Sequence, residues 1–290
     1  MENRLNVTSS FYFLKETGQV KIFDKKTWRF IGRKYNFRDK KLSDIMKYLE
    51  DNGWEVGLHG SFYSFNNYEL LKKEKEELET VIGKKVFGIR QHNLNLKIPE
   101  TWRIHERLGF LYDTTLGSNH YVGFRWGTCF PFHPYDEELK RFLKIIEIPM
   151  IIEDIVLFRY KDPWRTSLNI IEKVQRCGGV LTLLWHHAVF NDLEFPGWGS
   201  LYERLVKHAK ERGAWVTNAL NIARWWKIRT ETSIDVKTKG GRIVIKLDRS
   251  IPITIYCKSF KDLDDAKVIS INDNSITVIP RSNEVKLRLV

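Results

Sequence analysis

Three apolar runs in this chain each end in histidine. Trp54-Glu55-Val56-Gly57 leads into Leu58-His59-Gly60-Ser61-Phe62-Tyr63, Val86-Phe87-Gly88-Ile89 into Arg90-Gln91-His92, and Val180–Leu184 into Trp185-His186-His187. Imidazole can exchange a proton near neutral pH and can also donate a lone pair to a cation. A single such run most simply holds a buried, hydrogen-bonded histidine. Three, each following a helical segment, point to one site. In a repeating strand–helix protein the loops at the C-terminal ends of the strands converge on one face. His59, His92 and His186 are thereby expected to meet there. His187 should point the opposite way from its neighbour.

The elements that would position these residues follow from periodicity. Val7–Leu14 reads as an early strand, and Lys15–Phe37 as irregular and basic. Leu42, Ile45, Met46 and Leu49 give Lys41–Asn52 a helical stripe, with Gly53 beyond its end. The strand Trp54–Leu58 follows. Tyr68–Ile82 is a second helix, whose charges KKEKEE read as a solvated face. The alternation continues through strand Val86–Ile89, helix Pro99–Leu108, strand Phe110–Tyr112 ending at Asp113, and strand Ile145–Ile152 ending at Glu153-Asp154. Helix Ser167–Cys177, strand Val180–Trp185, helix Leu201–Arg212, strand Ala214–Thr217 and helix Ala219–Trp226 complete it. This pattern predicts an α/β domain with a mostly parallel sheet over residues 1–227, open or closed as a barrel. Residues 228–290 change period. Six short strands, with turns at Gly240-Gly241 and Asp273-Asn274, predict a small antiparallel β domain.

The chain has 290 residues, with 48 Lys and Arg against 36 Asp and Glu, a net charge of +12. The excess is dispersed, so a solvated basic surface explains it more simply than nucleic-acid binding, for which no motif is present. Cys129, Cys177 and Cys257 are far apart and form no CxxC, which argues against a zinc knuckle or a disulfide framework. No apolar run is long enough to span a membrane, and Met1–Thr8 is too polar for a signal peptide. The expected location is the cytoplasm.

The ordered stretches GLHGS, GIRQH, LYDTTLG, GFRWGTCFPF, EIPM and LTLLWHH resemble the polysaccharide deacetylase family, the NodB-homology domain of carbohydrate esterase family 4, over roughly residues 5–227. The resemblance implies a distorted (β/α) barrel and a divalent cation, zinc, used to hydrolyse the amide of an N-acetylated sugar. It assigns His59 as a metal ligand and Arg90 as the residue that orients a catalytic carboxylate. Leu184 lines the acetyl pocket and His186 is the general acid. Asp113 is expected to orient the catalytic groups, and Asp154 to do the same or to touch substrate. Tyr63 stands where the family has a second histidine, which makes His92 the candidate substitute ligand. Tyr63 and Trp185 are expected to contact substrate within a loop region rich in aromatic residues. His105, His120, His133 and His208 are expected at the surface.

One departure is large. The family opens with a strand ending in two aspartates, a base and a metal ligand, and the only acid before Leu14 here is Glu2. The expectation is that this strand is missing, because the true start lies upstream, the chain is a fragment, or it is an inactive relative. The implied substrate is a carbohydrate, lipid- and nucleotide-linked forms included. A non-catalytic glycan binder and an amidohydrolase of a non-sugar C–N bond are the alternatives. The oligomeric state is not legible.

Overall fold

The computed structural model describes residues 1–17, 23, 25, 35–239, 242–256, 260–272 and 275–289. The turns expected at Gly240-Gly241 and Asp273-Asn274, Cys257 and most of the basic stretch before Phe37 lie outside them. The described chain divides into two compact units, Met1–Arg224 and Trp225–Val290.

In the first unit, α1 (Glu2–Leu5) precedes β1 (Ser10–Leu14), and α2 (Lys40–Asp51) precedes β2 (Glu55–Gly60). Then come α3 (Tyr68–Ile82), β3 (Gly88–Gln91), α4 (Glu100–Arg107) and β4 (Tyr112–Asp113). A small hairpin of β5 (Tyr135–Asp136) and β6 (Arg141–Phe142) leads to β7 (Ile146–Glu147). Next are β8 (Ile152–Glu153), α5 (Asp154–Leu157), α6 (Pro163–Cys177), β9 (Leu183–Leu184), α7 (Trp198–Glu211) and α8 (Ala219–Glu231), which runs across the division. β1, β2, β3, β4 and β7 form a five-stranded sheet with all pairings parallel. β8 and β9 form a separate parallel pair. Among the described residues no ladder joins these sheets into a closed barrel.

Local chemistry explains the helix ends. Asn67 accepts from Leu70 N to cap α3, Asp39 accepts from Leu42 N to cap α2, and Asp162 caps α6, which opens on Pro163. Gly83 and Gly178 end α3 and α6 at φ of 70° and 66°, a conformation glycine adopts at little cost. The sheet's outer face and the helices enclose a core of Val56, Leu58, Leu71, Leu78, Ile89, Trp102 and Ile145. Glu74 departs from the solvated face expected of α3. It is buried, and its carboxylate accepts from Ser61 N at 3.1 Å.

The expected strand Ile145–Ile152 is two strands in two sheets. Pro149 lies between them and has no N–H for a ladder. Ala214–Thr217 forms no ladder with any described residue. The second unit contains a sheet ordered β10 (Ile234–Lys239), β11 (Arg242–Leu247), β16 (Glu284–Leu289), β13 (Phe260–Asp264). A second sheet is ordered β12 (Ile253–Tyr256), β15 (Ser275–Pro280), β14 (Ala266–Asn272), and every pairing in both is antiparallel. Its core is Ile245, Leu247, Ile276, Val278 and Val285. β13 is not among the strands that hydrophobic period predicts.

Candidate active site

Side chains alternate along a strand, and residues in register on parallel neighbours share a face. The registers Leu14↔His59, His59↔Arg90 and Gly88↔Tyr112 therefore place Tyr12, His59, Arg90, Tyr112 and Thr114 on one face of the five-stranded sheet. Two glycines make this face possible. A Cβ on Gly57 would lie 2.6 Å from the Tyr12 ring, and one on Gly88 would lie 2.1 Å from the Tyr112 hydroxyl. The two tyrosines fill that space as a polar floor. Their hydroxyls are 2.7 Å apart, and Tyr112 donates to Glu55 Oε1 at 2.8 Å. Glu55 also accepts from Ser10 Oγ and Leu220 N. Burial raises the carboxyl pKa of Glu55 despite these bonds, and burial raises those of both phenols.

Arg90 lies above this floor, with its guanidinium carbon 4.7 Å from the Tyr12 ring centroid. It is 8% exposed. Nε donates to Thr114 O at 3.1 Å and one terminal nitrogen donates to Thr114 Oγ1 at 3.2 Å. Among the described residues no carboxylate comes within 4.0 Å of it. His59 is its neighbour, and His59 Nδ1–H donates to the Arg90 carbonyl at 2.8 Å. That bond leaves the Nε2 lone pair free. Burial, with further effects from the charges of His92, Arg90 and His186, holds the His59 pKa down to about 3, so the ring is neutral at physiological pH.

The rings of His59 and His92 are 5.4 Å apart, and Phe62 lies 6.2 Å from His92. His92 is buried, with Nδ1 3.1 Å from Glu16 Oε2, so Glu16, just beyond β1, orients it. In the other sheet, Glu153↔Leu184 is a register pair, and His186 follows Leu184 at the alternating position. Asp154, fully buried, accepts from His186 N at 2.6 Å and from His186 Nδ1–H at 2.8 Å. The imidazole itself is 45% exposed. Burial raises the Glu153 pKa, and the charges of His186 and Arg90 act against that rise.

The other expected residues lie elsewhere. Asp113 is on the opposite face of the sheet, fully buried, where it accepts from Thr115 Oγ1 and has His105 Nδ1 at 3.3 Å. Its register partner Glu147 accepts from Trp102 Nε1 at 2.8 Å and Leu116 N at 3.0 Å. Burial, and next the charge of Asp113, raise the Glu147 pKa well above the usual carboxylate value. His105, expected at the surface, is completely buried because α4 turns it toward this pair. Trp185 points away from His186 and packs against Phe158 and Tyr202. Tyr63 is half-exposed beside Phe62.

Glu16 beside His92 is a residue that sequence patterning does not single out. The donor set does not complete a zinc site. A catalytic zinc commonly has three protein ligands, and among the described residues no three of His, Cys, Asp and Glu gather closely enough to hold a cation. His59 and His92 are two nitrogen donors of the expected kind, and among the described residues no third ligand joins them.

No family model matches the chain and no curated protein matches it. Solved structures do. The Puue allantoinase aligns at 18% identity and TM-score 0.50, over 66% of this chain and 65% of its own. A protein assigned as a polysaccharide deacetylase from Mycobacterium smegmatis aligns at 16% identity and TM-score 0.54, over 82% of this chain and 78% of its own. Another so assigned, from Pseudomonas aeruginosa PAO1, aligns at 15% identity and TM-score 0.51, over 66% and 65%. The chain spans just under two thirds of the length of the first and third.

Proposed function

From a NodB-like deacetylase fold we propose that this chain is a hydrolase of carbon–nitrogen amide bonds, with an N-acetylated sugar as substrate. What supports this reading is that His59 and Arg90 share a face of the sheet and that His186 is held through Nδ1 by a buried carboxylate.

Each group suits one requirement of amide hydrolysis. The leaving amine needs a proton. His186 presents Nε2, because Asp154 accepts at Nδ1 and stabilises the imidazolium that forms between proton transfers. The carbonyl oxygen becomes negative in the transition state. Arg90, permanently cationic and held by Thr114, supplies preorganised positive charge. His59 is too weak a base to accept a proton at neutral pH, and its role is to offer a fixed lone pair. Leu184 shares the inner face with His186 and suits the acetyl methyl group. No step is assigned to a metal, because the third ligand is lacking among the described residues.

Acetate release from short N-acetylglucosamine oligomers, with and without added zinc or cobalt, tests the reading. Release that falls at least about a hundredfold in His186→Asn supports it. Release no greater than that of a His59→Ala, His186→Asn double variant removes the catalytic claim and leaves a glycan-binding relative. A second reading, hydrolysis of a ureide or cyclic imide, is favoured by the likeness to a structure described as an allantoinase. It uses the same groups.

A further inference from the structure

We propose that strand β10 is a dimerisation edge, to which a second copy of this chain adds its own β10 antiparallel, with Val236 opposite Val236. The inference concerns the second unit alone and is independent of the activity proposed above.

β10 lacks the usual guards of an edge strand. It ends the order β10, β11, β16, β13, so every second residue directs its N–H and C=O away from β11, and among the described residues no strand pairs with them. Edge strands are commonly blunted by proline, by a bulge or by a charge on the inner face. Ile234–Lys239 contains no proline, and its ladder to β11 runs without a register shift. Its inner face is apolar. Ile234 and Val236 are in register with Leu247 and Ile245, which pack with Ile276 and Val278 of the facing sheet. Residues opposite each other in a ladder share a face, so Ile234 and Val236 continue this core surface outward. They are nevertheless 55% and 59% exposed, and all six residues of β10 are exposed. The facing sheet has three strands against four and stops short of them.

Charge selects what adds to this edge. Asp235 and Lys237 lie two apart on the outer face, where they pair at 2.7 Å and stay more than half exposed. When one β10 runs antiparallel to another with Val236 on the two-fold axis, each Asp235 stands opposite Lys237 of the second copy. On the inner face Val236 then meets Val236, and Ile234 meets Thr238. One strand thus supplies both signs at the spacing that its own copy needs. A pairing centred on Asp235 or on Lys237 would instead set like charges face to face, which is unfavourable. Six residues give an edge about 20 Å long. That is a small interface, so the association is weak and depends on concentration.

Sedimentation of the full chain at low salt, at concentrations up to about 0.5 mM, should show a monomer–dimer equilibrium. Asp235→Lys and Lys237→Asp should each weaken it about tenfold or more, since each sets two like-charge pairs across the axis. Mixed in equal amounts, the two variants should dimerise again, because each offers the sign that the other lacks. The chain carrying both substitutions keeps the pairing with its signs reversed and should dimerise like the wild type. Both side chains are exposed, and thermal melts confirm that each variant is folded. A dimer indifferent to the single substitutions, variants that stay apart on mixing, or a doubly substituted chain that does not dimerise overturns the proposal. So does a wild-type chain that is monomeric throughout, which would leave this edge to an extended peptide of another protein.

Discussion

At the level of single residues, the site rests on histidines fixed through Nδ1. His59 donates to a backbone carbonyl and His186 to Asp154, so in each Nε2 is the free nitrogen. Asp154→Asn should leave the fold intact yet lower the amide-cleavage rate about 10²–10⁴-fold, since an amide at that position can hold the wrong tautomer. Steady-state rates over pH check this, and a kcat unchanged from wild type would contradict it. Glu74 allows a test of stability alone. Burial raises its pKa from 4.5 to about 7, though Ser61 N donates to it. A carboxyl whose folded pKa exceeds its unfolded value favours folding while protonated. Its contribution is complete below pH 4.5 and is lost as pH rises through 7, a change of up to about 3 kcal/mol. Glu74→Gln should therefore raise the melting temperature at pH 8, have little effect at pH 4, and flatten the profile between. Thermal melts across that range decide it.

Among the elements, the strands matter less for their length than for their register. β4, β7, β8 and β9 have only two residues each, yet their pairings decide which side chains meet. The two faces of the five-stranded sheet differ in chemistry. One carries tyrosines, His59 and Arg90, and the other an apolar core with the Asp113–Glu147 carboxyl pair set into it. Gly88 is where the strand must give way to Tyr112, whose hydroxyl a Cβ would meet at 2.1 Å. Gly88→Ala should cost about 1–3 kcal/mol by overpacking. It should also pull Tyr112 off Glu55, which denaturant unfolding and the tyrosine ultraviolet difference spectrum would report together. An unchanged unfolding midpoint would mean the floor is looser than these contacts imply.

In the molecule as a whole, two units each have their own apolar core. No helix among the described residues is long and apolar enough to cross a membrane. The second unit's core is small, so one deletion within it should be felt. Ile276, completely buried there, should cost about 2–5 kcal/mol on replacement by alanine. Hydrogen exchange resolved along the chain should show amides of residues 242–289 opening faster, while those of β2 and β3 keep their protection. Equal loss in β2 and β3 would show that the units do not open separately. The net charge of +12 is dispersed over the sequence, which fits a solvated surface.

The order of amino acids already carries the helix–strand alternation, the change to short strands near residue 230, and the positions of His59, Arg90 and His186 at or just beyond strand ends. Hydrophobic period and strand-end position are local properties, and the motif order is written in the chain. Helix Tyr68–Ile82 matches its expected bounds, and His59 and Arg90 do share a face. Which way a side chain faces, and what it meets, comes only with folding. Asp113 reads as a site residue because it ends a strand, but a step of one position along a strand reverses direction, and its register partner is Glu147 behind the sheet. His105 and Glu74 belong to helices that read as polar, and are buried by what those helices pack against. Composition and spacing limit which groups are present; only the pairing of distant strands determines which of them confront one another across a pocket.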